Sequence, residues 1–135
     1  MTLAIPLQYS QSQHLTCTLE VNGLAAVFLV DTGASNSCFD QEKDTLFSLQ
    51  PKGEQLPMTA ASETPLHVRE SQKITLSSNQ QTLMRLPLML IDLIPINNAL
   101  QKQGDPPIDG ILGADVLQEK KAVIDYGKQQ LLITL

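Results

Sequence analysis

The sequence predicts an all-β domain carrying one or two short helices. Three observations lead there. Leu15, Cys17, Leu19 and Val21 alternate with Thr16, Thr18 and Glu20, the period of a half-buried strand. Asn22-Gly23 ends that stretch with a strong hairpin signal, and turn residues then recur at short intervals. At 135 residues the chain is expected to form one domain, residues 1–135.

The elements follow in order. "LAAVFLV" returns from the Asn-Gly turn as the partner strand, and its two apolar faces place it centrally in the sheet. The chain breaks at Gly33, "SCF" reads as a short strand, and "DQEKDTLFSL" reads as one or two helical turns capped by Asp40. Pro51, Gly53 and Pro57 punctuate the next segment, and "PMTAASETPLHV" reads as two short strands around a polar turn near Ala61 to Thr64. "ESQKITLSSNQQTLMRLPLML" gives another hairpin, turning between Ser77 and Gln80. Ile94 to Pro107 is expected as loop or irregular helix. "IDGILG" resumes as a buried strand, "ADVLQEK" suits a short helix, and a hairpin around Gly127-Lys128 closes the chain. Neither a 20–50-residue repeat nor a low-complexity tract is visible.

Composition excludes several classes. Apolar residues make up 42%, enough for a core. The net charge is −5, and Lys120-Lys121 is the densest basic spot, so nucleic acid is not an expected partner. No apolar run reaches the length of a membrane span, and "MTLAIPLQYS" lacks the order of a secretory signal. Cys17 and Cys38 lack CxxC spacing and read as reduced, partly buried thiols, a disulfide in a processed, exported form being the alternative; a cytoplasmic protein without membrane contact is expected. His14 and His67 have no ligand at metal spacing, so no metal is expected.

Asp31 carries the functional question. It ends the apolar run "AVFLV" and leads directly into Thr32-Gly33. A charged carboxylate at the end of a buried strand is costly unless something stabilises it. Either Asp31 caps a turn or the chain holds an acid for chemistry. Well downstream, "IDGILGADVL" places Ile111, Leu112 and Gly113 ahead of a helix.

The two motifs in this order resemble a retropepsin-like aspartic protease, the retroviral-type single-domain relative of the pepsin family, and its bacterial members most closely. The resemblance covers most of the chain: an opening hairpin, "LVDTGASNSCF", the flap-like "MTAASETPL", "LPLMLIDL", "ILG" with "ADVL", and "VIDYGKQQLLI". It implies a closed retropepsin-like barrel, one lobe per chain, without a cofactor. It makes Asp31 the catalytic acid, with Thr32, Gly33, Ala34 and Ser35 supporting its loop. Ile111, Leu112 and Gly113 would form the second half of a ψ-shaped crossing, and Thr59, Ala60, Ala61, Ser62 and Glu63 a flap. Only one Asp-Thr-Gly is present. A catalytic chain would therefore be a homodimer joining one Asp31 from each subunit, acting on a peptide or protein substrate.

Some positions depart from viral relatives, which carry an Arg after the second motif's glycine and an Asp after the first motif. Ala114 and Ser35 stand there instead, so both partners of that pair are absent together. The flap segment contains no glycine. A catalytically weak or inactive peptide-binding or dimerisation module is thus the alternative reading. Asp92, Asp109 and Asp125 read as turn or cap residues, with Asp109 notable for preceding "ILG". Cys38 reads as a small buried hydrophobe.

Overall fold

Two tight turns show how local sequence sets the strand pairing. Asn22 and Gly23 both take positive φ, 50° and 87°, and place Leu24 opposite Val21. Asn79 and Gln80 repeat that geometry at 49° and 65°, placing Gln81 opposite Ser78. The computed structural model describes residues 1–58 and 66–135. Its elements are β1 (Thr2–Pro6), β2 (Gln8–Tyr9), β3 (Leu15–Val21), β4 (Leu24–Val30), β5 (Cys38–Asp40), a 3-10 turn (Gln41–Lys43), β6 (Pro51–Met58) and β7 (Leu66–Ser71). These are followed by β8 (Ile74–Ser78), β9 (Gln81–Leu86), β10 (Met89–Ile91), α1 (Ile94–Lys102), β11 (Gly110–Leu112), α2 (Ala114–Glu119), β12 (Val123–Asp125) and β13 (Gln130–Thr134).

The strands form two sheets. A small antiparallel sheet has the order β1-β13-β12. The large sheet runs β6-β7-β10-β5-β11-β4-β3-β8-β9, with β2 beside β3. All-β architecture with two short helices is therefore what the chain adopts.

As expected, β4 is an interior strand, between β3 and β11. Phe28 faces the main core, where it meets Phe39 at 5.8 Å, and Phe39 meets Phe47 edge-on at 4.9 Å. Val27 and Leu29 face a second cluster of Cys38, Leu93, Leu100, Ile108 and Ile111. The strand's uniformly apolar character comes from packing on both faces.

Residues 94–102 correct the expectation of loop or irregular helix, because α1 is a regular α-helix. The Asp92 carboxylate accepts the Ile94 N–H at 3.0 Å, Pro95 occupies the first turn and Leu100 is buried. Asn97, a weak helix former, bonds across to both the N–H (2.8 Å) and the C=O (3.1 Å) of Ile108. That contact offsets poor propensity and fixes the approach to β11. β6 is longer than the short strand read around Met58 and pairs with β7 through Met58–Leu66. The flap candidates Thr59, Ala60, Ala61, Ser62 and Glu63 lie outside the described residues. The 3-10 turn has Asp40 as its cap, accepting the Glu42 N–H at 3.0 Å.

Both cysteines are free and buried. Burial pushes the Cys17 thiol up to about 12; burial, then the nearby Asp115 and Asp31 charges, push Cys38 up to about 11. An unfolded thiol titrates near about 8.5. The stability linked to these protonated thiols is thus fully present below about pH 8.5 and is lost as pH rises through the folded values. Neither thiol should react with a disulfide reagent at pH 8 until the protein unfolds. Two equivalents released promptly from the native protein would contradict that burial.

Candidate active site

Asp31 stands at the point where β4 leaves the sheet. Its N–H donates to the Leu112 carbonyl at 2.9 Å, which ties the acid to the end of β11. Its carbonyl accepts the Ala34 N–H at 3.2 Å, closing a tight turn. Its Oδ1 accepts the Gly33 N–H at 2.9 Å. A Cβ on Gly33 would lie 3.3 Å from that same oxygen, so glycine leaves room for the carboxylate to turn inward. Asp31 is half-buried, Thr32, Gly33 and Ser35 are exposed, and Ala34 is half-buried. The carboxylate is thus fixed by its own loop yet open on one side.

The second motif closes beneath that loop. β11 runs parallel to β4, pairing Ile111 with Leu29 and Leu112 with Val30. On its other edge it pairs antiparallel with β5, Ile111 opposite Cys38. One strand therefore threads between the two arms that flank the Asp-Thr-Gly loop, the ψ-shaped crossing implied by the resemblance. The Ala114 N–H donates to the Ala34 carbonyl at 2.7 Å. Gly110 and Gly113 allow the approach: a Cβ would lie 2.7 Å from the Cys38 carbonyl at the first and 2.7 Å from the Ala34 carbonyl at the second. The structure therefore brings Asp31, Gly33 and Ala34 together with Ile111, Leu112 and Gly113.

Sequence reasoning did not single out Ser37. This buried residue links the two motifs. Its hydroxyl donates to Asp115 Oδ1 at 2.6 Å, its N–H donates to Asp115 Oδ2 at 2.9 Å, and its Oγ accepts the Gly113 N–H at 2.9 Å. Asp115 also accepts the Val116 N–H at 2.9 Å, so its charge is distributed over several donors. A lone serine carries no local signal; its partner Asp115 lies in the first turn of α2, two residues after Gly113, and accepts backbone N–H groups. Ser37→Ala would leave the buried Gly113 N–H without its acceptor and Asp115 Oδ1 with the Val116 N–H alone. The expected loss is about 2 kcal/mol, read as a lower urea midpoint at unchanged slope. An unchanged midpoint would mean that the link contributes nothing.

The remaining acids hold structure. Asp109 accepts the Val27 N–H at 2.8 Å and pairs with Lys43, tying the 3-10 turn to the approach of β11. Asp92 and Asp125 accept backbone N–H groups at the start of α1 and in the β12–β13 turn. His14 is exposed before β3, and His67 lies on β7. Among the described residues no group of three or more His, Cys, Asp or Glu side chains is arranged to hold a metal. Among the described residues no helix is long and apolar enough to cross a membrane.

A one-lobe sheet with an acid-bearing loop seated on a ψ-shaped crossing defines the retropepsin-like fold class. Solved structures share it. A retropepsin-like aspartic protease from Rickettsia conorii superposes with a TM-score of 0.53 at 19% identity, over 98% of this chain and 90% of its own. EIAV protease, solved with an inhibitor, gives 0.61 at 17% over 87% and 98%. The retroviral protease-like domain of Ddi1 from Leishmania major gives 0.62 at 16% over 89% and 87%. At these identities the likeness is one of fold. Residues 17–116 match the aspartyl protease family, and the chain belongs to it. No curated protein matches the sequence.

Proposed function

We propose that this protein is an aspartic endopeptidase whose catalytic pair is Asp31 and the partner subunit's Asp31 in a symmetric homodimer. One observation carries the proposal: Asp31 is held at the mouth of the ψ crossing by the Gly33 N–H, beside an exposed Thr32, and the chain has a single Asp-Thr-Gly. Half a dyad on an open surface is complete only with a second copy.

Two carboxyl groups brought together cannot both ionise, so they share one proton. The ionised member takes a proton from water as that water attacks the scissile carbonyl, and the protonated member gives its proton to the carbonyl oxygen. Collapse of the tetrahedral intermediate breaks the C–N bond, with a proton passing to the leaving amine. Within each subunit, Gly33 orients the carboxylate, and Ala114, Leu112 and the Ser37–Asp115 link hold the loop against drift. In the proposed dimer Thr32 bonds across to the other loop. Ala34 offers no hydroxyl to the carboxylate, which favours work at mildly acidic to neutral pH. The substrate class is an extended peptide cut between largely apolar residues.

The glycine-free sequence at 59–65 favours a second reading, a peptide-binding or dimerisation module with little turnover. Wild-type protein and Asp31→Asn, incubated with a mixed peptide library near pH 5–6 and sedimented in parallel, separate the two. Cleavage by the wild-type dimer alone supports the endopeptidase; a dimer silent at every pH supports the module.

A further inference from the structure

The two end strands of the large sheet, β6 and β9, contribute to one cleft of about 400 Å³. Lys52 comes from β6, Arg85 from β9 and Lys73 from the turn between β7 and β8, with Glu70 and Ser71 of β7 beside them. All three cations are exposed, and the only ion pair among the described residues is Lys43–Asp109, elsewhere in the molecule. In a chain of net charge −5, three of the nine bases converge here, against one acid among the described residues. A lysine on an edge strand is ordinarily protection against sheet extension. That purpose accounts for single cations on β6 and β9 but not for their meeting a third on a concave surface.

The cleft is built before any ligand arrives. Ser71 is buried; its N–H donates to the Leu88 carbonyl at 2.9 Å, and its Oγ accepts the Leu88 N–H at 2.9 Å. The Gln72 N–H donates to the Gln50 carbonyl at 2.7 Å, holding the next stretch of wall. A backbone wall fixed in advance lowers the ordering cost of binding an anion to that of the three cationic side chains.

We infer that this cleft is an anion site for a dianionic phosphate, carried by a small phosphomonoester or free in solution. The charge is matched: three cations against one carboxylate leave about two positive charges for a group bearing about −1.5 to −2. Arg85 supplies the planar fork that suits phosphate oxygens, and the lysines act as point charges. The volume exceeds a bare phosphate and leaves room for a small organic remainder. Lys52 lies immediately before Gly53 (φ 75°) and the pairing irregularity in β6, at the root of the β6–β7 hairpin. A bound phosphate bridging Lys52 and Arg85 ties that root to β9.

The test titrates the full chain with inorganic phosphate and with phenyl phosphate at about pH 8, where both are largely dianions. Ionic strength is held constant with chloride, and backbone amide shifts are followed by NMR. Saturable shifts at Lys52, Lys73 and Arg85 are expected, weakened about tenfold in Arg85→Ala and unchanged in Lys128→Ala. All these side chains are exposed, so the variants should fold. Tighter binding of phenyl phosphate assigns the site to a phosphomonoester, and equal affinity assigns it to free phosphate. Shifts that never saturate, or that weaken equally in Lys128→Ala, overturn the inference.

Discussion

Asp31→Asn should abolish peptide cleavage, lowering it at least about 10³-fold, while the sedimenting mass stays that of the wild-type dimer. The substitution keeps the shape of the side chain, and the amide oxygen can still accept the Gly33 N–H now bonded to Oδ1. What it removes is the carboxyl that, in the proposed dyad, shares a proton and takes another from water. A mixing experiment tests the dyad more sharply. If equal amounts of wild type and variant exchange subunits freely, about half the dimers are mixed and about a quarter are wholly wild type. A dyad needing both aspartates then leaves about a quarter of the activity, whereas independently acting subunits leave about half. Residual cleavage above a tenth of wild type in the pure variant would remove Asp31 from the chemistry.

Gly113→Ala should unfold more easily than wild type by about 3 kcal/mol, a fall in Tm of roughly 10 °C. Backbone conformation is not the reason: φ −107° and ψ −173° suit any residue. Space is the reason. The new Cβ would meet the Ala34 carbonyl oxygen at 2.7 Å and the Asn36 backbone at 3.1 Å. Neither contact is the end of a flexible side chain, and the Ala34 carbonyl already accepts the Ala114 N–H at 2.7 Å. Making room costs overpacking strain and weakens that hydrogen bond. The same change at Gly33 meets only the Asp31 carboxylate oxygen, at 3.3 Å, and should lower Tm less. Equal melting of wild type and Gly113→Ala would show that the crossing tolerates separation.

Parts of this architecture were legible because they depend on neighbours in sequence. Leu15, Cys17, Leu19 and Val21 alternate, and all four are buried. The hairpin turns at Asn22-Gly23 and Asn79-Gln80 each begin on an asparagine, which tolerates positive φ. Asp31 and "ILG" were legible as motifs because each joins a strand to a residue type the strand would otherwise avoid. The rest depends on distant contacts. β1 pairs with β13 from Thr2–Thr134 to Pro6–Gln130, a register that nothing near Thr2 encodes. α1 includes Pro95, Asn97 and Asn98, and its helicity rests on Asp92, Leu100 and the contact from Asn97 to Ile108. Ser37 gains its importance only when Asp115, 78 positions later, folds beside it.

The threading of β11 between β4 and β5 also sets when the molecule becomes competent. Leu29 must wait for Ile111, and Ser37 for Asp115, so the polypeptide closes a loop of about 80 residues before the acid has its support. Such non-local pairing slows folding. During synthesis, a chain that has not yet emerged through Asp115 carries Asp31 on an unsupported turn. Assembly of the acid's setting is thus a late event in the protein's own biogenesis.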